Sequence, residues 1–340
     1  MSTSDVSHYG RSPRPIPQPA PPTPAAWLSG HIDQVRAARA GLAWLFDPAA
    51  PVLRDLLDGR LPFTGIDQLT DQTLTEASGV RREIRHYTPA ALRAGAAAAV
   101  TKAAASGMRV VVPEDTEWPA GLADLSDPGR APAGSAALCL WVRGDWTLAY
   151  VLQTSIAVVG ARAATAYGLH VAQEFGYELA SRGWTVVNSG GFGVDGAAQR
   201  GALSDHGLGV AALPCGLDRP HPAGHQSLFE RIAGSGLLVS MWPPGSEPGR
   251  DRAVVNRALL AALACGTVVV EAAAVSGAIS TLRHSVAAGR PAMVVPGPVT
   301  SAMSAGCHRA LRDIPQVRLV TGAVEVVAEL SAADVNGGDR

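Results

Sequence analysis

Between residues 155 and 295 short β-branched apolar runs alternate with longer stretches whose apolar residues recur at helical spacing, and few folds accommodate that rhythm. The runs occupy 156–159, 184–187, 209–213, 236–240, 267–270 and 292–295. Helical spacing fills the intervals, as in Leu169, Val171, Ala172, Phe175 and Leu179. Strands this continuously apolar have to be covered on both faces, which calls for a parallel sheet with helices on each side. Two more runs, 108–112 and 137–142, precede the series. The expected fold class is therefore α/β, with a doubly wound, mainly parallel sheet. Ligands of such sheets bind outside the carboxyl ends of the strands, where the strand order reverses.

The unusual residues of this chain collect at those carboxyl ends. Gly160-Ala161-Arg162 follows the first run of the series. A glycine there permits a sharp turn, so that loop N–H groups and the next helix N-terminus face outward as an anion site, reinforced by the Arg162 guanidinium. A second loop from Asn188, N-S-G-G-F-G-V-D-G, includes Ser189, Gly190 and Gly191, where backbone can approach a phosphate. Gly191, Gly193 and Gly196 also satisfy G-x-G-x-x-G, with Asp218 about twenty residues on, which keeps a dinucleotide reading open. A loop over 243–257 carries Arg250, Arg252, Asn256 and Arg257, and its asparagine can offer amide hydrogen bonds. Ser276, Gly277, Ser280 and Thr281 surround a further helix N-terminus, as phosphate contacts or as caps. Loops at 214–222 and 296–308 complete the set.

No catalytic constellation emerges. His221 and His225 are spaced i, i+4 but sit in a Pro/Gly loop, and Ser189 lacks the G-x-S-x-G setting of a nucleophile. The expectation is no catalytic residue, no metal and no cofactor. A net charge of −1 over 340 residues gives no whole-chain signal for nucleic acid or a membrane, so any phosphate site has to be local. Lys102 is the only lysine, which leaves arginine and backbone N–H groups for that task. Cys139, Cys215, Cys265 and Cys307 lie far apart without a C-x-x-C pair, the pattern of a reduced, cytoplasmic protein. The longest apolar stretch, 258–270, is short of a membrane span, so no membrane partner is expected.

Seven prolines between Pro13 and Pro24 mark residues 1–26 as a disordered tail. Residues 27–106 read as a small all-helical (SAM-like) module. Its helices are suggested by Ile32 to Phe46, by Val52, Leu53, Leu56 and Leu57, and by Leu92, Ala96, Val100 and Ala103. Arg81, Arg82 and Arg85 form a basic face there of the kind left to solvent. The α/β domain is expected over 107–330, with a flexible tail over 331–340 and no winged-helix module.

In order, the segments I-A-V-V-G-A-R, S-G-G-F-G-V-D-G, P-C-G-L-D, N-R-A-L-L-A-A-L, V-V-E-A-A-A-V-S-G-A-I-S-T, G-R-P-A-M-V-V-P-G and G-C-H-R-A-L resemble the DprA/Smf family of DNA-processing proteins. The resemblance implies an extended Rossmann-like domain that binds single-stranded DNA without sequence preference, forms a homodimer and loads a RecA-type recombinase, chiefly in natural transformation. It marks Gly160, Ala161 and Arg162 as the phosphate-binding element and matches its Asn-Arg pair to Asn256 and Arg257. With Ser189, Gly190, Gly191, Ser276 and Gly277 these are the expected DNA contacts. The chain departs from the family pattern at Ala253, Val254 and Val255, where an aromatic and further arginines are usual, and at Gln199, where a histidine is usual. The alternative is a diverged nucleotide-binding or nucleotide-hydrolysing protein of phosphoribohydrolase type. Those carry P-G-G-x-G-T where this chain has S-G-G-F-G-V, with Asp195 the only acid nearby. An NAD-dependent oxidoreductase would need a ribose contact from Asp218.

Overall fold

The computed structural model describes residues 31–48, 50, 53, 80–126 and 137–337. The Pro-rich segment and most of the helix expected around Val52 to Leu57 lie outside the described residues. Among the described residues three helices lead, α1 (His31–Leu45), α2 (Pro89–Ala97) and α3 (Ala99–Ala105). Thr88 caps α2 by accepting from the Ala91 N–H, with proline at the first helical position, where its missing N–H costs nothing.

Among the described residues nine strands form one sheet: β1 (Arg109–Val111), β2 (Leu140–Arg143), β3 (Ser155–Val159), β4 (Thr185–Asn188), β5 (Gly209–Ala212), β6 (Leu237–Ser240), β7 (Thr267–Val269), β8 (Ala292–Val294) and β9 (Val317–Leu319). The helices that wind it are α4 (Leu148–Leu152), α5 (Ala166–Ser181), α6 (Val194–Ala202), α7 (Gln226–Ser235), α8 (Arg250–Leu263), α9 (Gly277–Ala287), α10 (Ala305–Asp313) and α11 (Ala323–Gly337). The last of these runs past Leu330 into the segment expected to be a tail. The strand order is β1-β2-β6-β5-β4-β3-β7-β8-β9, with β2 antiparallel to both β1 and β6 and the remaining pairs parallel.

The alternation of side chains across the sheet divides the core. Ala157, Val159, Val187 and Val210 face α8 and α9 through Val255, Leu259 and Leu282. Ile156, Val158 and Val186 face α5, α6 and α11 through Phe175, Ala198 and Val326. Further along that second face, Trp141, Leu213 and Leu238 share one apolar cluster with Leu42 and Phe46 of the leading helical segment and with Phe229 of α7. The helices before the sheet thus extend the layer that covers it.

One expectation is reversed in that layer. Arg81 was placed on a solvent face, but it is 1% exposed. Its guanidinium donates to the Trp44 carbonyl at 2.7 Å and to Ser246 Oγ at 2.7 Å. Burial without such acceptors is prohibitive for a guanidinium, and here it sits against the Trp44 ring as well, 5.7 Å from the centroid. Arg82 does remain exposed, beside Glu247. None of α4, α10, α11 and β9 is expected from the sequence, and α10 begins inside the segment 296–308 read there as a loop. In β9 only Val317 is buried, so the strand carries no apolar alternation to read.

From β3 the chain steps outward through β4 and β5 to β6, and α8 then carries it back to β7 on the other side of β3. The loops after β3 and β7 therefore diverge, and the crevice between them is the switch point of the sheet.

Candidate functional site

The crevice is a cleft of about 800 Å³. Gly160, Ala161, Arg162, Ser189, Asn256, Arg257, Ser276 and Gly277 line it, together with Asp195 and Arg250. Eight of the ten residues expected to contact DNA are thereby brought together, whereas Gly190 and Gly191 stand back from the cleft wall.

The loop after β3 is held from both sides. A Cβ on Gly160 would meet the Val194 side chain at 2.6 Å and the Glu271 carbonyl at 2.9 Å, so only glycine fits where the strand passes between its neighbours. The Ala161 N–H donates to the Glu271 carbonyl at 2.8 Å, and the Val194 N–H donates to the Ala161 carbonyl at 3.1 Å. Glu271, 2% exposed, also turns its carboxylate onto Thr165, accepting from the backbone N–H at 2.9 Å and from Oγ1 at 2.7 Å. This corrects one expectation. The α5 N-terminus is not simply an open anion site, because the N–H and the hydroxyl of its cap residue Thr165 already donate to the Glu271 carboxyl and the Gly168 N–H is taken by Thr165 Oγ1. The only sequence signal for Glu271 is a lone acid directly after an apolar run.

What the cleft offers an anion is guanidinium. Arg162 is exposed and Arg257 half-buried, and neither has a hydrogen-bond or ion-pair partner among the described residues. Burial, and then the charge of Arg162, push the Arg257 pKa below its ordinary value. Arg257 lies against the start of α9, where a Cβ on Gly277 would meet its Nε at 2.8 Å. Ser276 is the α9 N-cap, its Oγ accepting from the Ala278 N–H at 3.2 Å. Asn256 and Arg257 belong to α8 rather than to a loop, because the helix starts at Arg250. Asn256 is buried, its Nδ2 donating to the Ala212 carbonyl at 2.8 Å and its Oδ1 left without a partner. Arg252 turns away from the cleft and pairs with Asp47 at 2.9 Å and Glu83 at 2.8 Å.

The glycine-rich loop after β4 is built around two buried side chains. Asn188 donates to the Val158 and Asp195 carbonyls and accepts from the Gly190 N–H at 2.9 Å and from Gln199 Nε2 at 3.2 Å. Gln199, which stands where a histidine was expected, thus braces the loop from β4 and β5, donating also to the Val186 and Val210 carbonyls. The Asp195 carboxyl accepts from Ser189 Oγ at 2.5 Å and from the Ser189 N–H at 3.1 Å. Burial raises its pKa, against the pull of Ser189, the Gly160 N–H and the Arg162 charge. The N–H groups of Ser189 and Gly190 are therefore engaged within the loop. Asp218, the acid a dinucleotide site would need, accepts from the Gly245 N–H at 2.9 Å.

The family model for DNA recombination-mediator protein A matches residues 109–331. The chain is 41% identical over 316 residues to the putative DNA processing protein DprA of Mycobacterium tuberculosis, covering 91% of this chain and 78% of that protein. It is 32% identical over 223 residues to protein Smf of Escherichia coli, covering 65% of this chain and 56% of that protein. Among solved structures, DprA of Streptococcus pneumoniae superposes with a TM-score of 0.62 at 24% identity, over 87% of this chain and 97% of that one. The Helicobacter pylori protein, solved to describe its single-stranded DNA binding mode, gives 0.56 at 24% identity, over 67% of this chain and 98% of that one. At those identities the structures establish the fold, and the sequence matches establish the kinship. This chain belongs to the DprA/Smf family of DNA recombination mediators.

Proposed function

We propose that this protein binds single-stranded DNA along the cleft at the carboxyl edge of its sheet and, as a cytoplasmic homodimer, protects that strand and loads a RecA-type recombinase onto it. The observation that carries the reading is the pair of guanidiniums, Arg162 and Arg257, that have no partner among the described residues and are close enough for one charge to perturb the other. Two like charges held together with no carboxylate paired to either are relieved by a bound anion, and a phosphate backbone supplies one at every step. Arg250 extends the same row at the start of α8. Family membership and the binding mode described for the Helicobacter pylori relative support the choice of a single strand. Hydrolysis of a nucleotide would need a carboxylate free to reach the sugar, whereas Asp195 is buried and bonded to Ser189.

The test is fluorescence anisotropy with a labelled strand of about 30 nucleotides, long enough to exceed one binding footprint, against the matching duplex across a salt series. The expected result is salt-dependent preference for the single strand. Arg162→Ala should weaken it and lower the log–log salt slope by about one, the signature of one lost phosphate contact. No binding at low salt would overturn the reading, and release of free base from a nucleoside monophosphate would replace it with the hydrolase.

A further inference from the structure

A groove for phosphates alone does not distinguish one strand from two. Selection of single strands generally adds an aromatic ring on which an unpaired base can stack. No phenylalanine, tyrosine or tryptophan lines the cleft among the described residues, and the segment ahead of Asn256 is aliphatic, with Val254 exposed. A ring does stand beside it. Phe192, in the glycine-rich loop, is 49% exposed.

That ring is held in place. It meets the imidazole of His225 edge-on, with centroids 4.7 Å apart and planes at 68°. His225 is buried, and its Nδ1 lies 2.9 Å from the Gly190 carbonyl. A carbonyl only accepts, so Nδ1 carries the proton and the imidazole is fixed to the backbone of the same loop. Room beneath the ring is left by Gly224, where a Cβ would come within 3.2 Å of it. On its other side Phe192 is one residue from Gly193, which adopts φ 75° and packs on the carbonyls of Ala161 and Arg162. The peptide that carries the ring therefore abuts the peptide that carries the Arg162 guanidinium. A side chain of this size, exposed yet fixed by a buried histidine, is pre-organised for contact with a flat apolar partner.

We infer that Phe192 is a base-stacking platform, set by His225 at the rim of the cleft, which takes an unpaired nucleobase while Arg162 takes the adjoining phosphate. The inference rests on the single-strand reading above. It adds a basis for discrimination, because bases inside a duplex are stacked on each other and present no free face to a ring.

The test separates bases from phosphates. Wild type, Phe192→Ala, Phe192→Leu, Phe192→Trp and Arg162→Ala are titrated with oligo-dT of about 30 nucleotides and with an abasic deoxyribose-phosphate strand of equal length, after thermal melts establish that each variant is folded. Phe192→Ala and Phe192→Leu should weaken oligo-dT binding about tenfold, within the range seen when a stacking ring is removed, and leave the abasic strand unaffected. Phe192→Trp should retain wild-type affinity, and Arg162→Ala should weaken both ligands. Equal binding of oligo-dT by wild type and Phe192→Ala would overturn the stacking role while leaving the phosphate cleft intact. Parallel loss of both ligands in Phe192→Ala would overturn it too, by making the ring a support for the loop. Failure of the wild type to bind either strand would remove the single-strand reading and this inference together.

Discussion

Arg162 and Asp195 line one cleft, and only the arginine is free to meet a ligand. Asp195 is kept as a brace. Its carboxyl gathers Ser189 and the Gly160 N–H, so it joins the loops after β4 and β3, and burial holds its pKa above the ordinary 3.8. A carboxyl whose folded pKa is raised binds its proton more tightly in the native state, so stability is greatest below 3.8 and falls as pH rises through the folded value. Asp195→Asn keeps an acceptor for Ser189 and cannot ionise. Its melting temperature should therefore rise relative to wild type as pH increases from about 4 to 8, with the difference vanishing at the acid end. Above the folded pKa, where the wild-type carboxyl is ionised, its affinity for single strands should also increase several-fold, since a negative charge then leaves the cleft. A melting difference independent of pH would show that Asp195 does not titrate in that interval. The site was legible where function needs a residue type visible in one dimension, a glycine or arginine directly after an apolar run. Glu271 and Arg252 were misread or missed because their partners are remote: Thr165 lies 106 residues from Glu271 and Asp47 lies 205 from Arg252. Spacing along the chain carries no trace of such pairs.

At the level of elements, the helix pair that covers the central strands depends on missing side chains. α5 and α6 cross so closely that a Cβ on Gly176 would run into the Ala198 carbonyl, and one on Gly201 into the Gln173 carbonyl. Backbone on the far side cannot rotate out of the way as a side chain would. Gly201→Val should destabilise the fold by about 1–3 kcal/mol, the usual cost of overpacking, as read from the midpoint of urea unfolding. Single-strand affinity of the folded fraction should hardly change, because Gly201 sits at the opposite end of α6 from Asp195. Unchanged stability would mean that the helices can separate at no cost. The central strands and α5 to α9 were all visible in the sequence, since the strands, buried on both faces, are unbroken apolar runs and the helices between them repeat apolar residues near 3.6. The edge strand β9 and the first turns of α8, read as part of a loop over 243–257, were not, because a strand of one buried residue has no period and a helix starting on arginines has no apolar one there.

Across the whole molecule, the leading helical segment is joined to the α/β sheet by charge as well as by the shared apolar cluster. Arg252 of α8, 7% exposed, meets Asp47 just beyond α1 and Glu83 ahead of α2, while Arg81 reaches Ser246 in the loop before α8. α8 also carries Asn256 and Arg257, so this junction sets the helix that forms one wall of the cleft. Burial pushes the Glu83 carboxyl up, but hydrogen bonds from Arg252 and from backbone N–H groups outweigh it and hold the pKa at about 2, below the ordinary 4.5. For a carboxyl with a depressed folded pKa, the stabilisation is complete above 4.5 and is lost as pH falls towards 2. Glu83→Gln removes one partner of a buried pair and should cost about 3 kcal/mol at neutral pH. The wild-type melting temperature should then fall more steeply than that of Glu83→Gln on acidification from 4.5 to 2, with the two curves converging at the acid end. Calorimetry on both proteins at matched ionic strength decides the matter, since a constant gap between the curves over that interval would place the acid sensitivity outside the junction.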